Sequence, residues 1–300
     1  IISLVIYTSK AQQNEQIVRC YFATVTFYNY SCFVQEAVIV TEDLPFRFIN
    51  EEHLPGFNDS DVGHLSPNPH HQIFIHVLSK EFVQHFGGLR SLDISRTSLR
   101  RIHADAFERC ELLEVFLAGS NPDLTVLPPG LFDNCHNLET LFLQYTGLKV
   151  LRAETFQSLV NLDYLTLQWT RFEEIASGAF RNLTRLRHLD LSGTLIDVRV
   201  LKPEWLVDLV SLEDLGLSSN FLPIIPAGIF DNLQKLRILR LAGNNLNRLD
   251  TFGQLPSLTR MDMRSNRLNA IEPDFFTSLP VLHEFDSNLN NDCINFRVLN

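Results

Sequence analysis

A leucine pattern that recurs every 22 to 26 residues constrains this chain more than any other feature. The repeated unit is L-x-x-L-x-L-x-x-N/T. A unit of this length cannot bury its apolar residues alone, so successive units are expected to stack and share one continuous core. The pattern therefore predicts an elongated α/β solenoid of about nine repeats rather than two globular domains. The first leucines of the nine repeats are Leu89, Leu113, Leu138, Leu162, Leu186, Leu212, Leu236, Leu258 and Leu282.

The distribution of leucine also indicates where the repeats begin. Of the 48 leucines, only 5 lie in residues 1–88, and the other 43 lie in residues 89–300. A solenoid exposes its core at both ends unless another segment covers it. We therefore assign residues 12–88 to an N-terminal cap with a degenerate first repeat, 89–290 to the repeats, and 291–300 to the C-terminal end.

The residue type at each fixed position of the repeat has a structural reason. We number these positions as slots 1 to 9, counted from the first leucine. The leucines at slots 4 and 6 alternate with outward-facing residues, which predicts a short strand, and the stacked strands should form a parallel sheet on the concave face. Slot 9 holds Asn or Thr, whose side chain can satisfy backbone groups where the chain turns away from the strand. A phenylalanine six residues before the first leucine should add a buried spine beneath the convex side. It occurs in seven repeats, at Phe107, Phe132, Phe156, Phe180, Phe230, Phe252 and Phe276.

The cap contains three segments with local signals. Residues 21–28 are aromatic and β-branched and predict a strand, residues 50–72 predict an exposed loop, and residues 73–75 predict the strand of the degenerate repeat. Cys20 and Cys32 bracket the first segment, and in a secreted cap we expect them to form a disulfide.

The other three cysteines leave alternatives open. Cys110 and Cys135 occupy a slot that later repeats fill with leucine, so they are either buried thiols that act as small apolar side chains or a disulfide between adjacent repeats. Of these, we favour the buried thiols. Cys293 is the odd cysteine, and it is an unpaired thiol, the link in a homo- or heterodimer, or a residue whose partner was lost by truncation.

Several features favour an exported protein. Residues 1–11 are apolar at first and end in a small-x-small pattern, which predicts the tail of a secretory signal peptide rather than a first strand. No apolar run is long enough to span a membrane. Three N-x-S/T sequons agree with an extracellular glycoprotein, with acceptor residues Asn29, Asn58 and Asn182.

Charge and motifs argue against other functions. The formal net charge is −10, so a nucleic-acid partner is not expected. The chain has no Gly-rich phosphate loop, no G-x-S-x-G and no H-E-x-x-H, so we predict no enzyme, no catalytic residue and no cofactor. His64, His70, His71 and His76 lie close in sequence but match no zinc-site spacing, so we interpret them as loop residues rather than metal ligands.

The concave face is the candidate binding surface. Slots 3, 5 and 7 point outward there, and in repeats two to four they carry apolar and aromatic side chains among threonines and glutamines, with Tyr145 and Trp169 next to them at slot 8. Phe142, Tyr164 and Trp169 are expected to be neighbours in an exposed patch, which is typical of recognition surfaces. Such a patch is also consistent with coverage by the cap loop, or with a surface that has no role.

Later repeats present charge instead. Arg240, Arg260 and Arg264 predict either a basic spot for a carboxylate, sulfate or acidic protein, or a face that salt bridges neutralise, which we favour. The predicted ligand-binding residues are Val115, Leu117, Phe142, Tyr145, Tyr164, Trp169, His188, Arg240, Arg260 and Arg264.

The clearest stretch is Phe230-x-x-Leu233-x-x-Leu236-x-x-Leu239-x-Leu241-x-x-Asn244. It resembles the typical 24-residue class of extracellular leucine-rich repeats found in Toll-like receptors, Slit and related ectodomains. That resemblance covers residues 89–290 and implies a horseshoe with its parallel sheet on the concave face.

A narrower resemblance is to the leucine-rich-repeat immune proteins of insects, especially mosquitoes. It is carried by the aromatic cap between Cys20 and Cys32, by the Phe-x-x-Cys-x-x-Leu segments at Phe107 and Phe132, and by the end after Asn-x-Cys. It implies a secreted recognition or scaffold protein of innate immunity. The terminal coiled-coil heptads and paired-Cys linker of the long members of that group are not seen.

Two functions follow as expectations. The first is a secreted leucine-rich-repeat protein that engages a protein or microbial-surface ligand through its concave face. The alternative is the ectodomain of a cell-surface receptor or adhesion protein whose membrane segment lies beyond residue 300.

Overall fold

The computed structural model describes residues 16–24, 30–39, 46–50, 52–196, 201–250, 253–272 and 274–287. Within these residues, each of the nine repeats contributes one three-residue strand, and neighbouring strands pair in parallel. Each strand spans slots 3 to 5 of its repeat, which confirms the predicted solenoid. The nine strands are Ser91–Asp93, Val115–Leu117, Thr140–Phe142, Tyr164–Thr166, His188–Asp190, Asp214–Gly216, Ile238–Arg240, Arg260–Asp262 and Glu284–Asp286.

The core sits between this sheet and the convex side. The slot-4 residues of successive repeats stack in register, so that Leu141 pairs with Leu165 and Leu165 with Leu189. All three are buried. Burial of such leucines, each contributing about 1.5–3 kcal/mol, is what holds one repeat against the next.

The phenylalanine spine is present over most of its length. Phe107 and Phe132 stack with ring centroids 5.8 Å apart, and Phe132 lies 6.3 Å from Phe156. In the last repeat Phe275 is fully buried, whereas the predicted Phe276 is only partly buried against the core. Phe252 lies outside the described residues.

Slot 9 forms a ladder of buried hydrogen bonds. Asn121 donates to the carbonyl oxygens of Ile94 and Ala118, at 3.0 and 2.9 Å, and its Oδ1 accepts the N–H of Leu99 at 2.9 Å. Where slot 9 is threonine, the hydroxyl makes fewer hydrogen bonds to the backbone than the asparagine amide does. Thr170 Oγ1, for example, donates to the Leu143 carbonyl at 3.1 Å. The slot therefore satisfies backbone groups that would otherwise be buried without partners.

Short elements cover the other faces of the solenoid. They include two-residue strands, most of which pair between neighbouring repeats, one short α-helix and three 3-10 turns. The strands are Phe74–Ile75, Val77–Leu78, Arg101–Ile102, Val150–Leu151, Glu174–Ile175, Arg248–Leu249 and Ala270–Ile271. The α-helix is Lys80–Gln84, and the 3-10 turns are Asp59–Asp61, Pro203–Trp205 and Phe275–Ser278.

The cap extends the concave sheet with four longer strands: Gln16–Ala23, Ser31–Ile39, Phe46–Asn50 and His64–Pro67. The strand predicted at residues 21–28 begins earlier, at Gln16, and ends at Ala23, while residues 25–28 of the prediction lie outside the described residues. The degenerate repeat strand was also misplaced. His64–Pro67 pairs in parallel with Ser91–Asp93, whereas Phe74–Ile75 pairs with the cap strand at Val38 and Ile39.

The reason is visible in the core beneath the cap. Val62 and Leu65 are fully buried and stand 27 residues before Leu89 and Leu92, so they fill slots 1 and 4 of an overlong repeat. That stretch was predicted to be an exposed loop because Asn, Asp and Pro dominate it.

Two disulfides cross-link the described part of the chain. Cys20 and Cys32 are bonded across the antiparallel pair of cap strands, with Cα atoms 5.4 Å apart. Cys110 and Cys135 are bonded between repeats, with Cα atoms 5.0 Å apart, so the preference for free thiols was wrong. Equivalent slots of stacked repeats lie one strand spacing apart, a distance that suits a disulfide. Cys293 and the proposed signal segment, residues 1–11, lie outside the described residues.

Candidate functional site

A continuous row of side chains crosses the concave face from aromatic to charged. Phe142 and Tyr164 have ring centroids 5.2 Å apart, and Tyr164 stacks on His188 at 5.1 Å with planes 20° apart. His188 Nδ1 lies 3.7 Å from Asp214 Oδ2, and Asp214 accepts two hydrogen bonds from the Arg240 guanidinium. We call these five residues the concave row.

Strand register explains why the row is continuous. Tyr164, His188 and Asp214 are all slot-3 residues of consecutive repeats, and the sheet pairs Tyr164 with His188 and His188 with Asp214. Paired residues of a parallel sheet point to the same face about 4.8 Å apart, which brings neighbouring rings into contact. Phe142 and Arg240 are slot-5 residues that reach the two ends of this line diagonally.

Charge is concentrated at the second half of the row. Burial raises the pKa of Tyr164, and the nearby carboxylates of Asp190 and Asp214 raise it further. Burial alone lowers the pKa of Arg240, but the hydrogen bonds and charge of Asp214 outweigh it, so the pKa is raised and the side chain stays cationic.

Asp190 has a fixed position beside the row. Its Oδ1 accepts the backbone N–H of Ser192 at 2.8 Å, and its Oδ2 accepts a hydrogen bond from Gln168. A Cβ added to Gly216 would lie 2.4 Å from Asp190 Oδ1, so glycine on the next strand leaves the room that this carboxylate occupies.

One predicted aromatic neighbour is elsewhere. Trp169 does not join Phe142 and Tyr164 but lies parallel to Tyr145, with centroids 6.2 Å apart and planes 12° apart. Both residues occupy slot 8 and have left-handed backbones, with φ of 56° and 54°. The strand has ended by slot 8, and this conformation turns both rings to the side of the solenoid. Val115 and Leu117 stay on the concave face and are partly buried.

The basic spot predicted on the later repeats does not form. Arg240 is bonded to Asp214, Arg260 Nη2 lies 3.0 Å from Glu284, and Arg264 makes two hydrogen bonds to Asp262 at 2.6 and 2.9 Å. These pairs agree with the alternative that we favoured, a face neutralised by salt bridges.

Sequence reasoning missed three cations near the displaced rings. Arg96, Lys149 and Arg171 lie around Tyr145 and Trp169 on the lateral side. Arg96 shares slot 8 with the two rings, and this shared slot was the available signal.

The described residues contain no group of three or more histidine, cysteine or acidic side chains arranged to hold a metal ion. His64 was predicted to be a loop residue, but it lies on the strand His64–Pro67 and bonds through Nδ1 to Ser91 Oγ at 2.9 Å. Of the predicted glycosylation acceptors, Asn58 and Asn182 are exposed, whereas Asn29 lies outside the described residues. In the part of the chain that the structure describes, no helix has the length and apolar character needed to cross a bilayer.

Sequence comparison identifies the repeats directly. The family described as Leucine rich repeat matches residues 117–172, 170–222 and 215–268, which together make up just over half of the chain. Among curated proteins, the sequence comparison found no match.

Solved structures share the fold. A chain of the TLR13–ssRNA13 complex superposes with a TM-score of 0.58 at 22% identity, over 77% of this chain and 36% of that one. A chain of the Drosophila Toll–Spatzle complex gives 0.50 at 19% identity, over 82% and 40%. A chain of the octameric complex of Latrophilin 3, Unc5D and FLRT2 gives 0.59 at 20% identity, over 76% and 75%.

A leucine-rich-repeat protein of Leptospira interrogans gives a TM-score of 0.57 at 25% identity, over 77% of this chain and 62% of that one. Of the TLR13 chain, the first of these structures, this chain spans little more than a third of the length.

Proposed function

Because this chain belongs to the leucine-rich repeat family, we propose that it is an extracellular binding protein that holds a protein ligand on its concave face. The family accounts for the scaffold, and the concave row accounts for the recognition surface. No residue in this proposal performs chemistry on the ligand.

An extracellular location is supported by the cysteines and the surface. Disulfides persist in oxidising compartments, and this chain has two, Cys20–Cys32 in the cap and Cys110–Cys135 between repeats. The exposed sequon residues Asn58 and Asn182 are accessible for glycosylation. Secretion, rather than attachment to a cell surface, remains part of the proposal.

The concave row is the observation that carries the binding proposal. Its aromatic end offers two partly exposed rings for an apolar side chain, and its charged end offers the Asp214 carboxylate and the Arg240 guanidinium for hydrogen bonds. Aromatic and arginine residues dominate the energetics of protein interfaces. Because five contacting side chains are already ordered, the ligand meets a preorganised surface and little side-chain entropy is lost on binding.

The solved relatives are consistent with such a role. Toll was solved with Spatzle in a complex described as a hub of development and innate immunity, and FLRT2 was solved with Latrophilin 3 and Unc5D. A role in innate immunity is therefore proposed here, and a protein or microbial-surface ligand fits it. The alternative, the ectodomain of a receptor or adhesion protein, would be favoured by a transcript that continues into about 20 apolar residues.

The binding proposal can be tested with three concave substitutions. The wild type and a Phe142→Ala/Tyr164→Ala/His188→Ala variant would each be prepared as artificial tetramers for screening. Both would be tested against an array of secreted proteins and ectodomains from the same organism. We expect a ligand of the wild type to lose at least tenfold in affinity for the variant. Circular dichroism and thermal unfolding establish that the variant is folded.

Phe221→Ala is the matched control, because Phe221 is an exposed aromatic residue outside the repeat strands. Its binding should equal that of the wild type. A ligand that binds the concave variant as tightly as the wild type would refute the concave site.

Dimer formation through Cys293 is a separate part of the proposal. Intact mass with and without reductant tests it: a mass that halves on reduction supports an intermolecular disulfide, and an unchanged chain mass contradicts it.

A further inference from the structure

A second concavity lies beside the sheet, where the chain leaves the strands of the first four repeats. It encloses about 860 Å³, and its lining includes Arg96, Ser120, Tyr145, Lys149, Trp169 and Arg171. We call it the lateral groove. It shares no residue with the concave row, and its volume falls within the range of sites that bury a ligand or a few side chains of a partner.

The two rings in the lateral groove occupy unusual positions. In the described repeats slot 8 has a left-handed backbone, which only glycine adopts at little cost; Gly193 and Gly243 occupy it in two repeats, and Ser120, Ser219 and Ser265 in three others. A bulky residue there costs of order 1 kcal/mol. Tyr145 and Trp169 nevertheless occupy two adjacent copies of the slot and remain 50% and 46% exposed. The core does not need these rings, so their exposure points to a contact outside the chain.

Charge distinguishes this groove from the concave face. Within the described residues, neither Arg96 nor Arg171 has a carboxylate within ion-pair distance, whereas Lys149 Nζ lies 3.2 Å from Glu173. By contrast, Arg240, Arg260 and Arg264 on the concave face are all paired. Two guanidinium groups without acidic partners therefore lie beside aromatic rings. Although the net charge of the whole chain is −10, the lateral groove offers local positive charge that complements an acidic ligand.

The surroundings limit the ligand to a short anionic segment. Glu173 lies at the rim beside Lys149, and Asp123 follows the lining residue Pro122 and pairs with Arg100 at 3.4 Å. A long polyanion such as a nucleic acid would meet these carboxylates as it left the groove. A peptide with two carboxylates can satisfy Arg96 and Arg171 and place an apolar side chain on the rings between them.

The repeat spacing gives the length of that peptide. Arg96 belongs to repeat one and Arg171 to repeat four, so three strand spacings of about 4.8 Å, or about 14 Å, separate the two repeats. An extended peptide covers this distance in about four residues. We propose that the lateral groove binds an acidic segment of a partner protein, with two carboxylates about four residues apart and an aromatic or aliphatic residue between them.

Peptide selection tests this proposal. A random 12-residue library displayed on phage would be selected on the wild-type protein after depletion on an Arg96→Glu/Arg171→Glu variant. We expect the enriched sequences to carry two acidic residues about four positions apart with an apolar residue between them. A selected peptide, labelled and measured by fluorescence polarisation, should lose at least tenfold in affinity for the charge-reversed variant.

Two further variants are needed. One tests the contribution of the two rings separately from that of the charges, and the other controls for charge reversal elsewhere on the solenoid. Tyr145→Ser/Trp169→Ser introduces the residue that slot 8 holds in other repeats, and it should also weaken the peptide at least tenfold. Arg267→Glu reverses an exposed arginine in the same slot as Arg171 but four repeats away, and it should leave affinity unchanged. The concave variant Phe142→Ala/Tyr164→Ala/His188→Ala should also bind normally, which keeps this site distinct from the proposed function.

Three results would overturn the proposal. They are a selection without groove-dependent peptides, enriched peptides that bind the charge-reversed variant equally well, and a single-stranded oligonucleotide that displaces the peptide and binds without the two rings.

Discussion

The indole of Trp169 lies against the backbone of Gly193, the residue at the same slot of the next repeat. A Cβ at Gly193 would stand 2.5 Å from Trp169 Cε3, and Gly193 has a left-handed φ of 69°. Glycine is therefore favoured at this position for two reasons, the left-handed backbone and the room that the indole ring occupies. The contact supports Trp169 from one side, and Tyr145 lies parallel to it in the preceding repeat.

Gly193→Ala should lower the free energy of unfolding by about 2–3 kcal/mol, because the left-handed backbone costs an alanine about 1–2 kcal/mol and the indole must also move. Gly243→Ala is the matched control, since Gly243 has a φ of 68° in the same slot but the nearest atom to an added Cβ would be Ser219 Oγ, at 3.2 Å. It should cost about 1–2 kcal/mol. Chemical denaturation followed by tryptophan fluorescence measures both, and equal losses would show that the Trp169 contact contributes nothing.

Removal of the Cys110–Cys135 disulfide should destabilise the first repeats. The bond closes a 25-residue separation, and loss of such a cross-link costs about 2–4 kcal/mol. Cys110→Ala/Cys135→Ala should therefore lower the denaturation midpoint. Cys110→Leu/Cys135→Leu introduces the residue found in later repeats and separates lost packing from the lost cross-link. Alkylation of either thiol in denaturant without reductant would show that the bond does not form.

The repeats were predictable because stacking forces every unit to meet the same requirements. Leu141 and Leu165 pair across the sheet as their slots predict, and Asn121 bonds the backbone groups that slot 9 must satisfy. Periodicity detects such residues because one unit repeats the geometry of the last. The cap strand His64–Pro67 was missed because its repeat is 27 residues long and carries Pro67 at slot 6.

The candidate sites were less predictable, for two physical reasons. Alternation predicts which way a side chain points only while the chain is extended, and it fails at Trp169, where the left-handed backbone turns the ring sideways. Whether two charges pair depends on how far their side chains reach across the strands. The sequence therefore could not show whether Arg240 is bonded to Asp214 or is a free cation. Cys110 and Cys135 lay at a distance that allows a bond, but spacing alone does not distinguish a disulfide from two thiols.

Asp214→Asn should weaken the charged end of the concave row. Asp214 is mostly buried and accepts hydrogen bonds from Arg240, which is less than half exposed, so the loss should be about 1 kcal/mol after allowance for solvent screening. Glu284→Gln is the control, because its pair with Arg260 is about half exposed on both sides and should contribute no measurable stability. Urea unfolding at low and at 1 M salt provides the comparison. An equal effect of the two substitutions would contradict a special role for Asp214.

Stability should fall as the pH drops below about 6.5. Burial lowers the pKa of His64 and His85 from the ordinary 6.5, although Asp93 and Asp59 respectively oppose the shift. The unfolded chain therefore binds protons at these imidazoles at a pH where the folded chain does not. Their neutral forms contribute full stability above pH 6.5, and that contribution is lost as the pH falls from 6.5 toward the lowered values.

The thermal midpoint of a His64→Gln/His85→Gln variant should consequently change less between pH 7 and pH 5 than that of the wild type. His70→Gln/His71→Gln is the matched control, because both of these loop residues are exposed, and it should keep the wild-type dependence. Scanning fluorimetry at half-unit steps of pH measures all three proteins. Parallel curves for the wild type and the His64→Gln/His85→Gln variant would mean that these two partly buried imidazoles do not set the acid sensitivity of the fold.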